Sequence, residues 1–102
     1  MTFINLTPHD LMLNDGTIIP ASGTVARVSS SFTEFDGNGI CRQVFGDVQG
    51  LPDPKDDTTF VVSALVLSAV KDRDDVVAPA TGHPACVRDE KGFIKSVPGF
   101  VR

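Results

Sequence analysis

Residues 59–70, TFVVSALVLSAV, are almost unbroken apolar sequence with charge at both ends: Asp56 and Asp57 precede them, and Lys71, Asp72, Arg73, Asp74 and Asp75 follow. A run of this kind has to be buried, so it marks where the core of the fold lies. Its length limits the form it can take. Twelve residues in one strand would extend ~40 Å at about 3.3 Å each, while a compact chain of this size has a radius of gyration of only ~13 Å. The conformation therefore has to change within the run. Ser63 is a natural N-cap, because its hydroxyl can accept from an amide of the first helical turn. Residues 60–62 then read as a strand and residues 64 to about 71 as a short helix. Val76-Val77-Ala78, ended by Pro79, reads as the next strand. The thirteen residues 63–75 are enough for the crossover of a parallel β-α-β unit, expected to be right-handed.

Upstream, residues 3–6, 10–13, 17–19 and 24–28 read as short strands, each break carrying turn chemistry. Asp15-Gly16 signals a hairpin with a type I′ turn, whose two central residues need positive φ. Pro20-Ala21-Ser22-Gly23 supplies the next turn and Thr7-Pro8-His9 the first bend, so an antiparallel meander is expected. Residues 29–57 are less regular. They read as a loop-rich excursion with one or two strands, residues 40–45 being the best candidate and residues 46–54 lying at the surface. Residues 86–88 and 93–97 form a second hairpin around Asp89-Glu90-Lys91-Gly92, expected at a sheet edge where its lysines discourage further pairing. The expected fold is a single α+β domain over residues 1–102: an antiparallel β meander, one β-α-β crossover with a short helix, and a C-terminal β-hairpin.

Composition removes several function classes. Nine Lys and Arg stand against thirteen Asp and Glu, for a net charge of -4, and no basic cluster emerges. Binding to a nucleic-acid polymer depends on phosphate neutralisation, so it is disfavoured. There are seven Phe but no Trp or Tyr, which leaves Phe alone for any stacking. Cys41 and Cys86 make no Cys-x-x-Cys pair and read as reduced thiols. The N-terminus, Met1-Thr2-Phe3-Ile4-Asn5, lacks a basic leader and a continuous apolar run, and the central run is far short of the ~20 residues that span a bilayer. A cytoplasmic location with no membrane partner is expected.

Several stretches together resemble a family of small uncharacterised proteins of phages, prophages and actinobacterial genomes. They are Asn5-Leu6-Thr7-Pro8-His9, Pro20-Ala21-Ser22-Gly23 followed by Ala26-Arg27, Gly50-Leu51-Pro52-Asp53-Pro54, Val62-Ser63-Ala64-Leu65-Val66, Arg73-Asp74-Asp75 with Pro79, and Val87-Arg88-Asp89 before Gly92. The likeness runs over nearly the whole chain. One departure is Ala21, where the family pattern has a second proline. The resemblance implies a setting, the cytoplasm of a phage-infected or lysogenic bacterium, more than a chemistry.

Candidate chemical groups are few. His9, His83, Cys41 and Cys86 are the only nitrogen and sulfur set for zinc, but His83-Pro84-Ala85-Cys86 is an imperfect local pair, and loop histidines with packed thiols are the simpler reading. Ser22 or Cys86 with His9 and a carboxylate could be drawn as a nucleophile triad, without any local signature for one. Asp72, Asp74 and Asp75 lack calcium-loop spacing and read as a solvated turn in which Arg73 pairs with its neighbours; Asp53, Asp56 and Asp57 read as loop charges. The most informative combination is the Ser22-Gly23 turn with Arg27 beyond it, near His9. Amides of a glycine turn and an arginine fork suit a phosphate or carboxylate. The alternative is Arg27 pairing with Asp10 or Asp15 on a sheet face. The expectation is a non-enzymatic binder of a small anionic, nucleotide-like ligand, using Ser22, Gly23, Arg27, His9 and Arg73 with no cofactor and no metal, and sequestering a host defence signal. The competing expectation is a virion accessory protein or an inhibitor that binds a host protein. Association into a closed homo-oligomer is compatible with either.

Overall fold

The computed structural model describes residues 2–70 and 72–102. Strand is the predominant regular structure, at 39% of the chain against 6% helix, arranged as one mixed sheet and small antiparallel sheets, an α+β arrangement in the loose sense. In chain order the elements are β1 (Thr2–Asn5), β2 (Leu11–Met12), β3 (Ile18–Ile19), β4 (Arg27–Phe32), β5 (Gln43–Gln49), β6 (Thr58–Val61), α1 (Ala64–Ala69), β7 (Val76–Pro79), β8 (Val87–Arg88), β9 (Ile94–Ser96) and β10 (Phe100–Val101). Among the described residues no helix is long and apolar enough to cross a membrane.

The apolar run changes conformation at Ser63. That residue is extended, with φ -68° and ψ 160°, and its Oγ accepts from the Val66 amide at 3.3 Å. Helix α1 ends at Ala69, where the Val70 amide donates to the Leu67 carbonyl; the expected end near Lys71 lies outside the described residues. Strands β6 and β7 pair in parallel on either side of the helix, with Phe60 opposite Val76 and Val61 opposite Val77. Phe60, Val61, Val62 and Val76 are fully buried. Each such side chain is worth about 1.5–3 kcal/mol when taken out of water. Phe60, Val62 and Val76 form one cluster with Leu6, Ala26, Val70 and the helix residue Val66, and Val48 and Leu51 pack at its margin.

The expected N-terminal meander does not form as one sheet. Strand β1 runs parallel to β6, giving a four-stranded sheet in the order β1-β6-β7-β10, while β2 and β3 make a separate antiparallel pair. The cause is Asn5, which is 1% exposed. Its Oδ1 accepts from the Thr7 amide and hydroxyl, and its Nδ2 donates to the carbonyls of His9 and Ile19. These bonds fold the chain back at Thr7-Pro8-His9 and carry β2 out of the sheet that β1 has entered. The β2–β3 turn is also not type I′. Of its residues only Gly16 has positive φ, and the Gly16 amide donates to Leu13 while the Leu13 amide donates to Thr17. That is a type I turn closed by a glycine bulge.

Residues 29–57 are more regular than their polarity suggests. Ser29, Ser30 and Ser31 lie in β4, and β5 runs unbroken through Gly46. The two strands pair antiparallel, with a register shift between Val28 and Ser30. At Gly46 a Cβ would meet the Ser29 hydroxyl across the ladder, so a side chain there would turn that exposed hydroxyl aside. The C-terminal hairpin forms as β8–β9, and β9 is followed by a bridge from Val97 to Leu13 that ties it to the β2 region. Strand β10 had no counterpart in the expectation. It adds antiparallel to β7, with Phe100 opposite Pro79.

Candidate functional site

Helix α1, the turn at residues 72–75 and the first residue of β7 border an open groove of about 640 Å³, which Arg102 also lines. Leu67, Val70 and Val76 give it apolar lining, and Ser68, Asp72, Arg73, Asp74 and Arg102 supply polar groups. The volume is in the range of small-molecule sites. The groove exists because the helix is short: it ends at Ala69, and the chain turns back within six residues to start β7.

Arg73 is the best-fixed charge in this region. Its Nε donates to Asp75 Oδ1 at 2.8 Å and its Nη2 to Asp75 Oδ2 at 2.7 Å, a bidentate pair, and Nη2 also donates to the Pro52 carbonyl at 3.1 Å. The guanidinium carbon lies 6.0 Å from the centre of the buried Phe60 ring. The hydrogen bonds from Arg73 hold the Asp75 carboxyl below its ordinary range, against the opposing effect of burial, and the same pairing raises Arg73. Nη1 makes no hydrogen bond among the described residues. Arg102 donates through Nε to the Asp74 carbonyl at 2.9 Å, which ties its side chain to the turn that borders the groove.

Of the residues expected to form an anion site, Arg73 alone lines this groove. His9 and Ser22 are gathered around Asn5 instead: the His9 carbonyl accepts from the Asn5 side chain, and the Ser22 amide donates to the Asn5 carbonyl at 3.0 Å. The Ser22 hydroxyl is engaged with Thr24. Gly23 follows with φ +94° in open space. The amides of this turn are therefore largely used by the fold. Arg27 begins β4, exposed and opposite Gln49. Asp10 and Asp15, its expected partners, accept from the backbone amides of Ala21 and Thr17.

The remaining candidates are dispersed. Cys86 Sγ donates to the Ser96 carbonyl, and His83 Nδ1 accepts from the Ala85 amide. Among the described residues no three His, Cys, Asp or Glu side chains are grouped to hold a metal ion. Sequence reasoning missed Arg102 and Ser68 as groove residues. The signal for Arg102 was Phe100-Val101 after Pro98-Gly99, a short apolar pair behind a turn, which is the minimal pattern of an added edge strand. No protein-family model, curated protein or solved structure matches this chain.

Proposed function

We propose that this chain is a non-enzymatic binder of a small anionic, nucleotide-like ligand held in the groove beside α1, acting as an accessory protein in the cytoplasm of a phage-infected or lysogenic bacterium, where it sequesters a host defence signal. The observation that carries the reading is the pairing of an apolar lining, Leu67, Val70 and Val76, with two guanidinium groups at Arg73 and Arg102. A flat apolar body would rest on the first, and an anionic group would take the open Nη donors of the second. Asp72 and Asp74 limit the charge such a ligand can bring, because Asp75 already neutralises Arg73. A singly charged cyclic nucleotide suits this balance better than a polyphosphate.

Calorimetry with a panel of cyclic and linear nucleotides tests it. At least one member is expected to release or absorb heat and to raise the melting temperature, by about 2.7 kcal/mol of stabilisation at a hundredfold excess over Kd. Arg102→Gln is expected to weaken that binding at least tenfold while leaving the melting temperature of the free protein unchanged. No heat from any member, with an unmoved melting temperature, overturns the proposal.

A second reading, a virion accessory protein or an inhibitor of a host protein, draws on a different observation. The β4–β5 hairpin, with its connecting residues 33–42, exposes Phe32, Phe35, Ile40, Val44 and Phe45.

A further inference from the structure

Every residue of β4 and β5 except Val28 and Val48 is exposed, and neither strand pairs with a third among the described residues. An isolated two-stranded hairpin is marginal in water. Phe32 is 68% exposed, Phe35 72% and Ile40 62%, a density of open apolar surface that a free hairpin does not keep without a reason.

The whole chain carries the same imbalance. Its accessible surface is 7047 Å², whereas a monomer of this mass is expected to expose about 5,600 Å². The surplus, on the order of 1,400 Å², is what one subunit of an obligate homodimer contributes to its interface, since such interfaces bury about 2,000–5,000 Å² in total. The radius of gyration, 15.7 Å, exceeds the ~13 Å of a compact chain in the same way.

We infer that the β4–β5 arm is the self-association surface of this protein, and that its occupant is the same arm of a second copy related by a two-fold axis. Two properties of the arm favour a copy of itself. Bulky residues stand beside small ones across the ladder, Phe45 opposite Ser30 and Val44 opposite Ser31, so each face offers a knob next to a notch. A two-fold places the knob of one chain over the notch of the other, the self-complementarity an isologous interface requires. The charges of residues 27–49 are Arg27 and Arg42 against Glu34, Asp36 and Asp47, nearly balanced within a chain of net charge -4. Two arms can therefore meet without the repulsion that other parts of the surface would bring. This inference is independent of the groove and of any ligand.

Sedimentation equilibrium of the full chain without ligand, in reducing buffer so that Cys41 cannot cross-link, tests it from 1 to 100 µM. Twice the mass of one chain is expected in the micromolar range. Val44→Lys combined with Phe45→Lys is expected to weaken association at least a hundredfold with an unchanged far-ultraviolet circular dichroism spectrum. Should that pair of changes disturb folding, Phe45→Ser alone and hydrogen exchange of the wild type give the same answer: association weakened at least tenfold, and arm amides that become slower to exchange as concentration rises. A single-chain mass throughout the range, or a dimer that survives the lysine variant, overturns the inference.

Discussion

Phe3 and Phe100 lie on the two outer strands of the four-stranded sheet, yet their rings meet with centroids 5.0 Å apart and planes tilted by 31°. Both lean inward, bordering a shallow depression with Thr59 and Val77 of the inner strands. The pair links the first and last strands of the sheet, whose hydrogen bonds alone would leave both edges to fray. Aromatic pairs contribute about 0.5–1.5 kcal/mol beyond the area they bury. Phe3→Ala and Phe100→Ala are each expected to cost roughly 2 kcal/mol in urea denaturation, and the double variant less than their sum by about 0.5–1 kcal/mol. Strict additivity would show that the rings act separately.

Gly50 is the tightest backbone position at the base of the arm. It has φ +80°, and a Cβ there would lie 2.6 Å from the Val25 carbonyl oxygen, a backbone atom with no easy way to move. Gly50→Ala is expected to destabilise the fold by about 2–4 kcal/mol, combining left-handed strain with a displaced chain. Gly23→Ala is the control. It also has positive φ but faces open space, so its cost should stay near 1 kcal/mol.

Asn5 makes bonds that no other residue type can replace, with both its donor and its acceptor used inside the fold. Asn5→Ala leaves the buried Thr7 amide without its acceptor and removes the donors to the His9 and Ile19 carbonyls, and is expected to cost about 2–3 kcal/mol. Asn5→Asp separates the two roles, since a carboxylate keeps the bonds from Thr7 but faces two carbonyl oxygens. Burial and those oxygens raise its folded pKa above the unfolded value. The variant should therefore be most stable in acid, below the unfolded pKa of about 3.9, and lose stability as pH rises through the folded value. Chemical denaturation between pH 3 and pH 7 reads the trend; a flat profile would show that the site is wet.

What could be read from the sequence was what local chemistry controls. The N-cap at Ser63, the strand–helix–strand change along residues 58–79 and the β8–β9 hairpin rest on short-range signals, and each occurs where those signals point. The pairing of β1 with β6 did not follow, because parallel partners far apart in sequence leave no local mark and the decisive group was one buried amide. Strands β4 and β5 were obscured by their serines and Gly46, which read as loop when the strands are taken singly. The proposed ligand site divided in a similar way. Arg73 stood out by its charged neighbours, but nothing near it in sequence announces Arg102 across the groove. Ser22 and Gly23 have the composition of an anion-binding turn, while the Ser22 amide is already bonded to Asn5.

The Arg73–Asp75 pair sets stability and ligand affinity against each other. With side chains 21% and 18% exposed, the pair is sheltered enough to contribute to folding, and the hydrogen bonds from Arg73 lower the Asp75 pKa. A carboxyl lowered in the folded state adds stability that is complete above its unfolded pKa, about 3.9, and is lost as pH falls through the folded value. Asp75→Asn is therefore expected to cost about 1–3 kcal/mol at pH 7, with the gap from wild type narrowing as pH falls below the unfolded pKa and the native carboxyl takes up its proton. The opposite raised shift of Arg73 has no effect in this window, since its charge is lost only in strong base. The same substitution frees positive charge beside the groove, so an anionic ligand should bind Asp75→Asn more tightly than wild type. Denaturation at pH 7 and pH 2.5, paired with nucleotide calorimetry at pH 7, measures both signs. A variant that loses stability and affinity together would mean that Asp75 holds Arg73 in its ligand-binding position, while one that changes neither would place the pair outside both roles.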